Sequence, residues 1–158
     1  MNRIRSSSLV VLAAIGLSLA PARAADAPAT PSLYKRIGGY DAIAAVVDDF
    51  VPRLVADARL GKFFQGHSSA TMAHIRQRVI EQICMAAGGP CIYTGRDMKT
   101  AHKGLGITEE DWTAAVMHLT ATFDKLKVPA KEKDELLAIV SALKKDIVEA
   151  PAAGSGAK

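Results

Sequence analysis

The chain has 158 residues, 49% of them hydrophobic and 5% aromatic, with a formal net charge of +4. Arg3, Arg5 and Arg23 lie within the first 24 residues, which hold no acid, so removing these three cations leaves +1 for the rest. A balance so near neutral gives no electrostatic footprint for nucleic acid or for an anionic membrane surface.

In chain order, "MNRIR" is a basic start, 9–20 is the apolar run "LVVLAAIGLSLA", and "ARA" at 22–24 offers small residues at the positions a signal peptidase reads. The segment 1–24 is therefore expected to be a signal peptide cut after Ala24. The apolar run is short for a bilayer span, which disfavours the alternative of an uncleaved anchor. No later stretch is long enough to cross a membrane, so the mature protein is expected to be periplasmic or secreted. Residues 25–32, "ADAPATPS", read as a flexible lead-in, 33–150 as one domain with one core, and 151–158, "PAAGSGAK", as a disordered tail. No internal repeat is visible.

The apolar pattern from 32 onward is helical, and alternating β-branched runs are scarce. A short helix over 32–37 is closed by Gly38-Gly39. A longer one follows over 40–57, with Ile43, Val46, Val47, Phe50, Val51 and Leu54 on its apolar face and Pro52 expected to bend or loosen it. Segment 58–66 is short and turn-rich and carries Phe63-Phe64. The pattern then predicts a strong helix over 68–87, with Met72, Ile75, Val79, Ile83 and Ala86 as its stripe, stopped by Gly88-Gly89-Pro90. About two turns follow over 96–104, with Met98 and His102 four apart on one face. Thr108 and Asp111 form a capping-box-like start to a helix that runs to about Lys127. Pro129 opens a last helix whose stripe is Leu136, Leu137, Ile139, Val140, Leu143 and Ile147. The fold class is all-α.

Two cysteines, Cys84 and Cys91, flank "MAAGGP". An exported location permits a disulfide between them, and the turn can fold Cys91 back beside the helix end. Two free thiols and a metal pair are the alternatives. The spacing is not that of a usual zinc site, and no C-x-x-C-H haem-attachment motif is present.

His102 is one of four histidines and sits on a short segment between two breaks in the chain. No nucleophile or carboxylate partner for it is obvious nearby. A metal or cofactor ligand presented on a short helix suits that setting better than a catalytic base does, and a surface or core histidine is the plain alternative.

Taken together, "SLYKRIGGYDAIAAVVDDF", "FF", "GGPCIYTGRDMKTAHKGLGIT" and "TEEDW" resemble the truncated haemoglobins of the first group over nearly all of 32–149. The resemblance implies a two-over-two helical sandwich around non-covalent b-type haem, with His102 as the proximal iron ligand. It places Phe64 against the haem face, with Phe63 beside it. The remaining haem-lining positions it implies are Phe50 and Val51 on the second helix; Ile75, Arg78, Val79 and Ile83 on the third; and Tyr93, Met98, Leu105 and Ile107 around His102. Arg78 is a candidate propionate partner or a plain solvent-facing cation, and Tyr93 either reaches the haem edge or pins its own loop.

The distal side departs from the family pattern. An ungapped match puts Val51 where many members carry tyrosine, and Ile75 and Val79 at the two distal positions of the next helix, the second often glutamine. Three aliphatics replace polar opportunities there, with Gln82 as a substitute donor off the central face. About three extra residues between Gly66 and Ala73 carry His67, and His74 follows, a candidate propionate neighbour or sixth iron ligand. His118 reads as a half-buried helix residue.

The resemblance thus implies a monomeric globin that reversibly binds oxygen, nitric oxide or carbon monoxide and is served by an unidentified reductase. A haem-dependent nitric oxide dioxygenase or peroxidase-like enzyme is the alternative, and a haem-free helical binding module is a second one.

Overall fold

A computed structural model describes residues 30–149; the signal peptide expected over 1–24, most of the lead-in, Ala150 and the tail over 151–158 lie outside the described residues. Seven α-helices and one short 3₁₀ helix make up the described chain, with no strand among the described residues.

Helix α1 (Leu33–Arg36) starts at Ser32, whose hydroxyl accepts from the Lys35 N–H. Gly38 and Gly39 follow with φ of 101° and 78°, a left-handed turn that glycine makes without strain. Helix α2 (Gly39–Ala56) continues through Pro52 and buries Ile43, Val46, Val47 and Val51, an i, i+3, i+4, i+8 row. The 3₁₀ helix spans Gly61–Phe64.

Helix α3 (Ser69–Ala86) is capped by Ser68. At its far end, the Gly88 N–H donates to the Met85 carbonyl at 3.1 Å and the Gly89 N–H to the Cys84 carbonyl at 2.8 Å. With Gly88 at φ 77°, these two bonds form a Schellman stop. A Cβ on Gly89 would lie 2.5 Å from Tyr34 Cδ2 and 2.7 Å from Cys84 Sγ, so that position admits only glycine. Cys84 and Cys91 are joined in a disulfide, with Cα atoms 5.8 Å apart.

Helix α4 (Met98–His102) is capped by the Asp97 side chain. Helix α5 (Glu109–Lys125) begins with a complete capping box: the Thr108 hydroxyl accepts from the Asp111 N–H, and the Asp111 carboxylate accepts from the Thr108 N–H. It ends with Lys127 at φ 55°, where the Val128 N–H donates to the Phe123 carbonyl at 3.0 Å.

Helix α6 (Ala130–Ser141) starts at Pro129, and α7 (Lys144–Ile147) follows it. The single last helix read from sequence is thus two. After Val140 the bonds shorten to i→i−3 links, Leu143 N–H to Val140 O and Asp146 N–H to Leu143 O, each 3.0 Å. The break turns α7 onto α4, where it packs.

Helix α2 packs on α3 and on α5, α5 on α6, and α1 on α2 and α6, giving a two-over-two helical sandwich. One core cluster joins the layers through Leu33, Val46, Leu119, Phe123 and Leu136; a second lies between α2 and α3 and holds Ile43, Val47, Val51, Ile80 and Cys84. Full burial of a residue such as Ile80 stabilises by about 1.5–3 kcal/mol. The stripe expected on α3 needs correction here. Its buried line is Ile80 and Cys84, followed by Ala87; Met72, Ile75, Val79 and Ile83 are half-buried, and Ala86 is exposed. Helix α3 carries two apolar rows: Ile80 with Cys84, which the periodicity left out, is buried most deeply, and Met72, Val79 and Ile83 flank it against the same cluster.

Candidate functional site at His102

Helix α4 is a single turn with His102 as its last residue. Asp97 Oδ1 accepts from the Thr100 N–H at 2.9 Å and sets the start of the turn. Backbone donors, with Thr100 first, hold the Asp97 carboxyl below its ordinary range and so keep the cap ionised. His102 Nδ1 lies 2.8 Å from the Met98 carbonyl oxygen. A carbonyl only accepts, so the proton of the neutral ring belongs on Nδ1, and the Nε2 lone pair is left as a ligand. The ring is half-buried.

The chain after His102 turns tightly. The Leu105 N–H donates to the His102 carbonyl at 3.1 Å, Gly104 and Gly106 adopt φ of 82° and 64°, and Ile107 is buried. Before α4, the Tyr93 hydroxyl donates to the Arg96 carbonyl at 2.6 Å within its own loop; burial raises its pKa. The disulfide ties this loop back to the end of α3.

Of the other residues singled out from sequence, Val51 is buried between α2 and α3, with half-buried Val79 and Ile83 packed against the same cluster. Like half-buried Phe50, Ile83 also reaches the cluster that joins the layers. It borders a wholly apolar cleft with Leu119 and Phe123. Ile75, Phe63, Phe64 and Met98 are half-buried, and the Lys62 ammonium stands 4.7 Å from the Phe63 ring centre. Phe64 borders a polar surface cavity with Val55, Asp57 and Lys62. Leu105 is 42% exposed and is not drawn inside. Arg78 is engaged by Glu81 at 2.5 Å and by the Thr94 hydroxyl, and its Nε lies 3.4 Å from His74 Nε2. His74 and His67 are both exposed. His118, half-buried, meets Asp57 Oδ2 at 2.8 Å.

Three polar residues went unread or half-read. The Gln82 amide oxygen is buried without a hydrogen-bond partner. On a helical wheel Gln82 falls close to Ile75, seven residues back, rather than beside Ile80. Asp111 is 1% exposed, with Arg59 at 3.5 Å and Lys62 at 3.7 Å; the capping box announced its bonds but not its burial. Glu149 contacts the segment after His102, and only the paired glycines there hinted at an anion-accepting turn.

Among the described residues, no group of three or more His, Cys, Asp or Glu is placed to hold a metal ion. A lone imidazole with a free Nε2 is suited to a metal that brings its other ligands with it, as iron in a porphyrin does. The surroundings suit such a group. Helix α4 packs chiefly on α7, and the row Ile75, Val79, Ile83 on α3 stays half-buried.

A two-over-two helical sandwich presenting one histidine on a one-turn helix defines a small globin-like class. Residues 32–149 match the model of the family described as bacterial-like globin. A group 1 truncated hemoglobin of Mycolicibacterium paratuberculosis is 35% identical over 116 residues, covering 73% of this chain and 83% of that protein. Another from Chlamydomonas moewusii is 33% identical over 122 residues, covering 76% and 70%. Among solved structures, truncated hemoglobin from Tetrahymena pyriformis in its Fe(III) form superposes with a TM-score of 0.70 at 28% identity, over 76% of this chain and 100% of that one. The 2/2 hemoglobin from Synechococcus, in the cyanomet state and with covalently attached heme, gives 0.68 at 29% identity, over 75% and 98%. The chain belongs to the bacterial-like globin family.

Proposed function

We propose that the chain binds b-type haem non-covalently, with His102 Nε2 as the proximal ligand to iron, and reversibly takes up a diatomic gas. The observation that carries this reading is the 2.8 Å contact of His102 Nδ1 with the Met98 carbonyl on a one-turn helix, in a chain whose residues 32–149 match a globin family. The haem, when bound, supplies an iron centre with an open face for a gas ligand.

The chain's own residues do the rest. Met98 fixes the tautomer and ring orientation of His102. Ile75, Val79 and Val51 exclude water and offer no hydrogen-bond donor to a ligand. The polar candidate on that side is Gln82, whose amide oxygen has no partner. Exposure of His74 and its contact with Arg78 weigh against an acid–base role there, and so against the peroxidase-like alternative. The basic–apolar leader and the Cys84–Cys91 bridge support export to the periplasm or beyond.

The test is the absorption spectrum of the purified protein in ferric, ferrous and carbon monoxide forms, followed by extraction into acidified organic solvent. A Soret band in all three forms and full extraction of the haem support the reading. Absence of a Soret band after haem is offered to the protein would leave the haem-free module. Haem that resists extraction would show covalent attachment, as in the Synechococcus protein.

A further inference from the structure

A helix of one turn has too few internal hydrogen bonds to hold its own direction. The angle of His102 must therefore be set from outside α4, and the structure supplies an anchor on its C-terminal side. Gly104 and Gly106, both in the left-handed region, aim their N–H groups at one point. The Glu149 carboxylate occupies that point: its oxygens lie 2.7 and 2.9 Å from Gly104 N and 3.0 Å from Gly106 N. The Glu149 N–H in turn donates to the Ile107 carbonyl at 2.9 Å. A single residue thus grips the segment 104–107 by both its backbone and its side chain. The same segment holds His102, through the bond from the Leu105 N–H to the His102 carbonyl. Helix α7, just before Glu149, packs on α4, and the break between α6 and α7 is what brings Glu149 to this place.

We infer that Glu149 is a positioning residue for His102: a C-terminal latch that fixes the turn after α4 and, through it, the orientation of the imidazole toward iron. The inference rests on the reading of His102 as the iron ligand. Charge-assisted bonds to backbone N–H groups are stronger than neutral ones, and two amides would lose their shared acceptor if the carboxylate were removed.

The experiment uses the full chain loaded with haem and compares wild type, Glu149→Ala and Glu149→Gln. Amide hydrogen exchange at Gly104 and Gly106, which does not depend on iron chemistry, should quicken by roughly tenfold in Glu149→Ala. The iron–histidine stretching band of the ferrous form, read by resonance Raman, should shift or broaden in that variant. Transfer of haem to excess apomyoglobin should quicken severalfold. Glu149→Gln keeps one acceptor oxygen and should recover part of each effect. A faster exchange at the two glycines with an unchanged iron–histidine band overturns the inference, because the latch would then be structural only. Unchanged exchange overturns it as well. An iron–histidine band that survives His102→Ala overturns both this inference and the ligand assignment beneath it, and so separates the two failures.

Discussion

Opening the Cys84–Cys91 bridge tests how the loop before α4 is held. Cys91→Ala is the preferred change, because Cys91 is half-buried, whereas Cys84 is fully buried against Ile43, Val47 and Ile80 and its replacement would add a packing defect. The bridge spans a sequence separation of 7. The chain-entropy model gives about 2.5 kcal/mol for so short a loop. That is a large fraction of the roughly 5–15 kcal/mol that holds a domain folded, and it corresponds to a fall in Tm of roughly 10 °C. Guanidinium unfolding should be followed on oxidised wild type, reduced wild type and Cys91→Ala. The last two should share a lower midpoint, since both lack the constraint on the unfolded chain. Under denaturing conditions, purified wild type that has not been reduced should show no free thiol, and two after reduction. A Cys91→Ala midpoint equal to that of oxidised wild type, or thiols that react before reduction, would refute the reasoning.

Two further outcomes are expected. Val51→Tyr places a hydroxyl near Val79 and Ile83, and a hydrogen bond to a ligand that gains negative charge is worth about 1.5–3 kcal/mol, so oxygen dissociation should slow by roughly tenfold or more while carbon monoxide dissociation changes less. Stopped-flow ligand replacement measures both rates, and an oxygen rate that is already slow in wild type and unchanged in the variant would point to Gln82 as the donor. The Asp57 carboxyl is held down to about 2 by His118 and by the Leu60 and Arg59 N–H groups. A depressed carboxyl contributes stability above its unfolded value of about 3.9 and loses it as pH falls toward the folded value. The Tm advantage of wild type over Asp57→Asn should therefore shrink between pH 5 and about 2, and a gap that stays constant with pH would contradict the assignment.

Where the chain's signals are local, the sequence was legible. The Thr108–Asp111 box, the Gly88-Gly89 stop and the turn at Gly38-Gly39 depend on a few adjacent residues, and each forms as those residues dictate. The short segment between two chain breaks drew attention to His102, and the resemblance carried the two-over-two architecture and the proximal role. What stayed hidden depends on partners far away in the chain. Leu136 to Ile147 keeps an unbroken helical stripe, yet the chain splits before α7, whose packing on α4 carries Glu149 to the amides of Gly104 and Gly106. Periodicity picked out the row with Val79 and Ile83 and missed Ile80 with Cys84, the row buried most deeply against α2. Arg78 read equally well as a propionate partner or a solvent-facing cation, and only the fold brings Thr94 within its reach.

Replacement of His102 by glycine, with free imidazole added back, tests the central claim most directly. The proposed reading makes His102 the proximal ligand to iron and the haem non-covalent. The account predicts that His102→Gly loses haem during purification, and that imidazole restores both haem content and the ferrous carbon monoxide spectrum. A His102→Gly protein that keeps wild-type haem content and the same ferrous carbon monoxide spectrum without imidazole would contradict it.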